Sequence, residues 1–387
     1  MTEQPPKTAL PDNSSDPIRV MVVGESANVS GLVYDILESD RSINVVTRAP
    51  NGTAAFIRLK RSVVDVVVFD IGMPKTDGIK TLPKFFEAED DIMIVMISTL
   101  TFSNVKLSME GLLAGAADYL AIPMATRKSE KQEKEAAFRR DLLEMVKALG
   151  LSRRASAKKR PKPKLEKLDR PLPKDSERLA RRAVPRGPIK LRAPSKVRPN
   201  VLVFGSSTGG PKALFNILSN LSPALKQPIL ITQHMPPTFT TILAQHIAQS
   251  CGRKCLEARD GEEIQGGRIY LAPGDYHMVI EAKGSKKQII LNQDPPVNFC
   301  RPSVDPLFIS VANAYGPFAM SVILTGMGQD GMVGGRAIVD AGGTVIAQDE
   351  KTSVVWGMPG AAAAAGICSA VLPIDKLAPE ILKLSNV

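Results

Sequence analysis

Histidine is the scarcest source of base chemistry in this chain, with three imidazoles in 387 residues. Cysteine is nearly as rare. Cys251, Cys255, Cys300 and Cys368 cannot frame a disulfide scaffold in a chain this long, and Cys251-x-x-x-Cys255 has no evident companion ligands, so the four read as reduced thiols of a cytoplasmic protein. No apolar run reaches the ~18 residues of a membrane span, and the richest, near 361–372, is broken by glycines. The opening Met1-Thr-Glu-Gln-Pro-Pro-Lys7 lacks the basic and apolar regions of a secretory signal. Aromatic residues are absent from 151–199, which argues against stacking on nucleic-acid bases there.

What the chain has in excess is positive charge, and it is local. The net charge is +11, yet residues 126–200 hold 25 Lys/Arg against 9 Asp/Glu, while the rest of the chain holds 25 against 30. The basic character therefore belongs to a connector and points to no nucleic-acid-binding domain; a solvated linker, or weak attraction to an acidic surface, accounts for it. Composition and periodicity then divide the chain. Residues 1–17 are a Pro- and Ser-rich tail, 18–125 a βα-repeating domain, 126–197 a basic helix (127–149) plus flexible linker, and 198–387 a second α/β domain. In both folded parts, near-continuous apolar strands alternate with helical patterns, predicting two doubly wound parallel sheets covered on both faces. In such sheets the chemistry sits at the strand carboxyl ends.

Those ends carry candidates. Val201-Leu-Val-Phe-Gly-Ser-Ser-Thr-Gly-Gly210 is an apolar strand running into a Gly/Ser turn, followed by Pro211 at a helix start. Ser207 is at the apex, in the strand-turn-helix of a nucleophile elbow; a phosphate-binding turn or a plain βα loop would share the pattern. An activated serine needs a base. His234 ends the next strand, whereas His246 lies within an amphipathic helix and His277 follows a loop. Asp330, in the glycine-rich turn after the strand near 320–325, is available to orient the base. The same turn, Gly326-x-Gly328-x-x-Gly331 with Asp349 downstream, also fits a dinucleotide fingerprint, but it falls late in its domain and leaves Ser207 and His234 without a role.

Residues 18–125 resemble the receiver domain of two-component response regulators. The phrase Phe69-Asp-Ile-Gly-Met-Pro-Lys-Thr-Asp-Gly78 corresponds to the phosphoacceptor segment, with Asp70 as acceptor and Ser98 as the switch hydroxyl. The resemblance implies Mg²⁺ held by Glu25 and Asp70. Two positions depart from it: Gly24 stands where the family has a second acidic residue, and Ile122 replaces its lysine. The loss of that lysine removes a charge contact nominally worth about 4 kcal/mol. Both changes predict phosphorylation that is impaired or uncoupled from output.

The whole chain is similar to the chemotaxis protein-glutamate methylesterase family, which joins a receiver to a catalytic domain. Phe204-Gly-Ser-Ser-Thr-Gly-Gly-Pro-Lys, Ile231-Thr-Gln-His-Met-Pro-Pro, Leu271-Ala-Pro-Gly-Asp-Tyr-His-Met, Arg301-Pro-Ser-Val-Asp-Pro-Leu-Phe and Leu324-Thr-Gly-Met-Gly-Gln-Asp-Gly occur in the family's order. The resemblance implies Ser207 as nucleophile, His234 as general base and Asp330 as orienting acid. Thr208 and the Met327 N–H are the oxyanion candidates. It also implies hydrolysis of glutamyl methyl esters on chemoreceptors, deamidation of glutamines as a second activity, no cofactor for catalysis, and a histidine kinase as regulator of a receiver that covers the site. The alternative is a non-catalytic receptor or kinase adaptor with a pseudo-receiver.

Overall fold

The computed structural model describes residues 16–72, 78–99, 101–123, 128–157, 189–284 and 286–386. The expected tail up to residue 15, the linker at 158–188 and positions 73–77 after Asp70 lie outside the described residues.

The first domain is a five-stranded sheet of β1 (Ile18–Val23), β2 (Ile43–Ala49), β3 (Val66–Asp70), β4 (Met93–Thr99) and β5 (Asp118–Ile122), ordered β2-β1-β3-β4-β5. Every pairing is parallel. All of β3 is buried, which is why it reads as an unbroken apolar run and not as an alternation. The helices are α1 (Ala27–Glu38), α2 (Gly52–Leu59), α3 (Gly78–Ala88) and α4 (Phe102–Ala114). Ser26, Asn51 and Thr101 cap α1, α2 and α4, each side chain accepting the N–H three residues on.

A single helix, α5 (Lys128–Ala157), then closes this domain. Phe138, Leu142, Met145, Val146 and Leu149 bury its apolar stripe against β1, β3 and β4. The helix outruns the expected end at 149. Gly150 lets it lie on β1, since a Cβ there would come within 2.5 Å of Ile18. Beyond it, Arg153 pairs with Glu89 and Asp91, and Arg154 pairs with Asp65 and donates to the Pro17 carbonyl. Long-range ion pairs of this kind leave no periodic signal.

The second domain contains β6 (Val201–Ser206), β7 (Ile229–Gln233), β8 (Cys255–Glu257), β9 (Ile269–Leu271), β10 (His277–Lys283), β11 (Lys286–Asn292), β12 (Ala319–Ile323), β13 (Thr344–Gln348) and β14 (Ala370–Leu372). Seven of them form a parallel sheet ordered β14-β13-β12-β6-β7-β9-β8, and β10 and β11 form a separate antiparallel hairpin. Helices α6 (Gly210–Ser219), α7 (Phe239–Cys251), α8 (Val304–Tyr315), α9 (Met332–Asp340), α10 (Met358–Ala364) and α11 (Ile374–Leu384) cover the faces. The chain leaves β6 toward β7 on one side and later returns to β12 on the other. That reversal opens a crevice at the carboxyl ends of β6 and β12, the position where open α/β sheets hold ligands. Residues 189–197, assigned to the linker by composition, lie along this domain. Arg192 N–H donates to the Cys368 carbonyl and Ser195 N–H to Thr344 Oγ1, each at 2.9 Å.

The two domains meet over that crevice. Helix α4 packs on α6 and α7, and the Tyr119 ring stacks on Phe239 with centroids 3.8 Å apart. On the other flank, Ser152 Oγ donates to the Val354 carbonyl at 2.7 Å, and Val355 joins the apolar cluster of α5.

The joint between α5 and the first sheet can be tested at Asp65. Burial opposes its charge, but hydrogen bonds from Arg19 and Arg154 outweigh this and hold its carboxyl below the usual range. Such a group stabilises above the ordinary carboxylate pKa, and the contribution is lost as pH falls through the depressed folded value. Asp65→Asn is expected to cost about 2 kcal/mol at pH 7. Urea unfolding followed by circular dichroism should show that gap at pH 7 and a much smaller one at pH 3.

Candidate functional site

Ser207 follows β6 directly, and three glycines around it have no room for a side chain. A Cβ on Gly205 would come 2.4 Å from Val304, and one on Gly210 would come 2.1 Å from Gln233 Oε1. Gly209 has φ 78°, which L side chains rarely adopt. The turn is pinned on both sides. Ser207 N–H donates to the Thr325 carbonyl, Gly210 N–H to the Ser207 carbonyl, and Gln233 Nε2 to that same carbonyl. Ser206 is fully buried with its hydroxyl on Gln233 Oε1 at 2.6 Å, so it is held as structure. Ser207 Oγ has no hydrogen-bond partner among the described residues and stands just before the N-terminus of α6, whose free N–H groups and dipole favour negative charge.

His234 follows β7, its backbone N–H bonded to the Ser206 carbonyl, which sets it beside the serine turn. Its Nε2 lies 2.7 Å from Asp330 Oδ2. Its Nδ1 faces Cys300 Sγ at 3.4 Å. Burial works against a charged imidazole, but the charges and hydrogen bonds of Cys300 and Asp330 outweigh it and push His234 up to about 10.

Asp330 is buried and richly solvated by protein. Ser303 Oγ, the Asn298 amide and the backbone N–H groups of Val304, Asp305 and Gly331 all donate to its carboxylate at 2.6–3.0 Å. Ser303, Val304 and Asp305 form the N-terminus of α8, so a helix dipole adds to the discrete bonds. Burial alone would raise its pKa; His234 and these donors hold it well below the carboxylate range. Asp305 accepts from Gly331 N–H and Gly334 N–H, tying the Asp330 turn to α9, and burial raises its own pKa.

The remaining candidates sort by their contacts. The Met327 N–H makes no hydrogen bond among the described residues, and its side chain packs on the apolar cluster of α5. Thr208 is occupied: its hydroxyl donates to Asp118 Oδ2 at the start of β5, and the adjacent Gly209 N–H donates to the Ala117 carbonyl at 3.0 Å. Burial pushes Asp118 up to about 6 despite that bond. His277 is buried between Ser303 N–H and the Pro295 carbonyl and holds that loop, while His246 touches Phe215 at the edge of α7. Sequence reasoning had no role for Asn298, Ser303, Cys300 or Asp118. The Arg301-Pro-Ser-Val-Asp305 motif was the one available signal, since Ser303 reads as a helix cap.

In the first domain Asp70 and Ser98 are both buried, on neighbouring strands. Burial raises Asp70, which accepts from Gly72 N–H at 2.8 Å. A Cβ at Gly24 would point at this carboxylate, 3.2 Å from the Asp70 Cβ, so a second acidic side chain there would face it. Glu25 is exposed, and Ile122 is partly buried in the apolar cluster beneath α5. Among the described residues no three His, Cys, Asp or Glu come together to hold a metal. No helix of the described residues is long and apolar enough to cross a membrane.

Comparison with known proteins places this geometry. Residues 20–132 match the response regulator receiver domain, and residues 202–381 match the CheB methylesterase domain. The chain is 49% identical to protein-glutamate methylesterase/protein-glutamine glutaminase 1 of Paramagnetospirillum magneticum, over 97% of this chain and 98% of that one. It is 48% identical to the protein-glutamate methylesterase/protein-glutamine glutaminase of Azospirillum brasilense, over 96% and 93%. The solved CheB methylesterase catalytic domain of Thermotoga maritima is 40% identical, covering 49% of this chain and all of that one, with a TM-score of 0.47. With both domains present and full-length identity near one half, the chain belongs to the protein-glutamate methylesterase/protein-glutamine glutaminase family, in which a receiver precedes a CheB methylesterase domain.

Proposed function

We propose that this protein hydrolyses glutamyl methyl esters on chemoreceptors, and glutamine amides at equivalent positions, through Ser207, His234 and Asp330. The observation that carries the reading is the His234–Asp330 pair at 2.7 Å beside a serine held at the apex of a glycine-lined turn. Asp330 occupies Nε2 and leaves Nδ1 as the nitrogen for Ser207. In the reaction Nδ1 takes the Ser207 proton as Oγ attacks the ester carbonyl. The Met327 N–H and the N-terminus of α6 face the developing oxyanion. The protonated imidazole then gives its proton to the departing methoxide, and methanol leaves. Water attacks the acyl-enzyme by the same route, freeing the glutamate carboxylate and Ser207.

The described arrangement withholds this chemistry. Cys300 engages Nδ1, and the receiver's Asp118 and Ala117 engage Thr208 and Gly209 on the flank of the nucleophile. Release of the receiver is therefore the regulated step. Because Gly24 and Ile122 stand where the receiver pattern has an outer acidic residue and a lysine, docking of a partner on the receiver, and not an acyl phosphate, supplies the bias.

Measurements of methanol release from membranes bearing methyl-esterified chemoreceptors test this. Ser207→Ala should remove most of the rate, since loss of the nucleophile in such a triad costs up to about a millionfold; retained release in that variant would overturn the catalytic assignment. The kcat/KM profile should rise with pH along a limb lying above the ordinary imidazole value of about 6.5, because a base with a raised pKa becomes neutral only at higher pH. Cys300→Ala should move that limb to lower pH. A small-molecule phosphodonor should leave the rate unchanged, whereas Asp118→Ala should raise it roughly tenfold by removing one charge-assisted interdomain bond.

A further inference from the structure

The turn at 297–300 is strained, tied to the catalytic carboxylate, and presents an aromatic ring to solvent. Asn298 and Phe299 have φ of 53° and 63°, a conformation that is uncommon outside glycine and costly for an aromatic residue. The turn holds its shape through reciprocal bonds between Val297 and Cys300. The Asn298 amide bridges Asp305 Oδ2 and Asp330 Oδ1, each at 3.0 Å, and Cys300 reaches His234. Phe299, at the tip, is 88% exposed, the highest value of any large apolar side chain described. It buries almost nothing and so returns no folding stability for the backbone conformation it requires. Glycine at this position would remove that cost. The ring's one recorded ring contact is Arg140 of α5, whose guanidinium carbon lies 5.5 Å from the ring centroid. Arg140 belongs to the domain that covers the crevice, so the ring faces the ground that a substrate polypeptide must occupy once that domain moves.

From these observations we infer that Phe299 is a specificity-determining residue of the methylesterase: it grips an apolar position of the substrate polypeptide next to the esterified glutamate. The inference rests on the hydrolase reading above. The strained turn holds the ring at a set distance from His234 through Asn298, Asp330 and Cys300, so that apolar contact by the substrate registers its ester against Ser207. An aromatic anchor of this type loses few degrees of freedom on binding and contributes disproportionately to affinity. A substrate with no polypeptide beyond its ester gains nothing from it.

The test compares methanol release from esterified receptor membranes with hydrolysis of p-nitrophenyl acetate, using the full chain. Phe299→Ala is expected to raise KM for the receptor about tenfold with kcat little changed, lowering the receptor-to-small-ester ratio of kcat/KM by the same factor. Phe299→Leu should recover most of the loss, and Phe299→Gly should show the same kinetic defect without a fall in melting temperature. Receptor kinetics unchanged in folded Phe299→Ala would overturn the inference, as would equal losses on both substrates. If Arg140→Ala and Phe299→Ala both simply raised kcat on both substrates, the ring would serve the covering domain and the inference would fall. Ser207→Ala separates the two readings: persistence of receptor hydrolysis there defeats the hydrolase assignment itself, independently of Phe299.

Discussion

A buried carboxylate with six donors around it organises the catalytic domain. Asp330 could not stay ionised in a protein interior without compensation, because the effective cost of burying an unpaired ion is several kcal/mol. Its compensation comes first from His234, and then from one stretch, Asn298 to Asp305, and from the next residue, Gly331. The requirement therefore places the N-terminus of α8 under the carboxyl ends of β6 and β12. That placement sets Val304 against Gly205 and Gly331, where a side chain on either glycine would crowd it. The serine turn, the imidazole and the strained 297–300 segment thus share one electrostatic origin. Nothing in the site can shift far without exposing or orphaning that charge.

Against this frame the receiver is held by few polar contacts: two fall on the nucleophile's own turn, and Ser152 bonds the Val354 carbonyl on the other flank. Thr208 and Gly209 give their hydroxyl and N–H to Asp118 and Ala117, while Tyr119 stacks on Phe239. The bonds that seat the receiver are thus bonds to the turn that carries Ser207. In the ordinary logic of a receiver, an acyl phosphate redistributes the two poses. Here Asp70 is buried, Glu25 is exposed, and Ile122 is packed in the apolar cluster beneath α5. A ligand shifts an equilibrium only by its differential affinity for the two states. A partner that binds the face of α4 and β5 competes directly with α6 and α7 and meets that condition without any chemistry at Asp70.

Much of the fold was legible because parallel strands buried on both faces carry their signal locally: β3, β6 and β12 are apolar almost without interruption. The nucleophile turn was legible for a related reason, since Gly205, Gly209 and Gly210 are local necessities of a tight strand-to-helix turn. What escaped was long-range or borne by the backbone. The three-residue strands β8 and β14 have too few positions for a period, and α11 contains Pro379. The last two turns of α5 depend on acids at Glu89, Asp91 and Asp65, up to 89 residues away in the chain. Residues 189–197 look like linker because their bonds run from backbone groups to the rim of another domain. The same holds in the site. The imidazole and its acid could be named from residue type, but half of the donors to Asp330 are main-chain N–H groups, which every sequence contains. Asp118 and Thr208 meet only because two domains do.

The proton economy of the closed state follows from the same geometry. Closing brings Asp118 out of water and near His234, and burial raises the carboxyl to about 6 although the Thr208 hydroxyl and the imidazole charge both lower it. The closed form therefore holds Asp118's proton more tightly than a solvated carboxyl would, and by linkage it is favoured as pH falls through that range and weakened as pH rises above it. His234 responds in the same sense. Its imidazolium is stabilised by Asp330 and Cys300, and Asp118 adds one more negative neighbour as long as the receiver is seated. Departure of the receiver removes that neighbour but also admits water, which lifts the burial that opposes the imidazolium, so the two changes act on His234 in opposite senses while Cys300 and Asp330 stay in place.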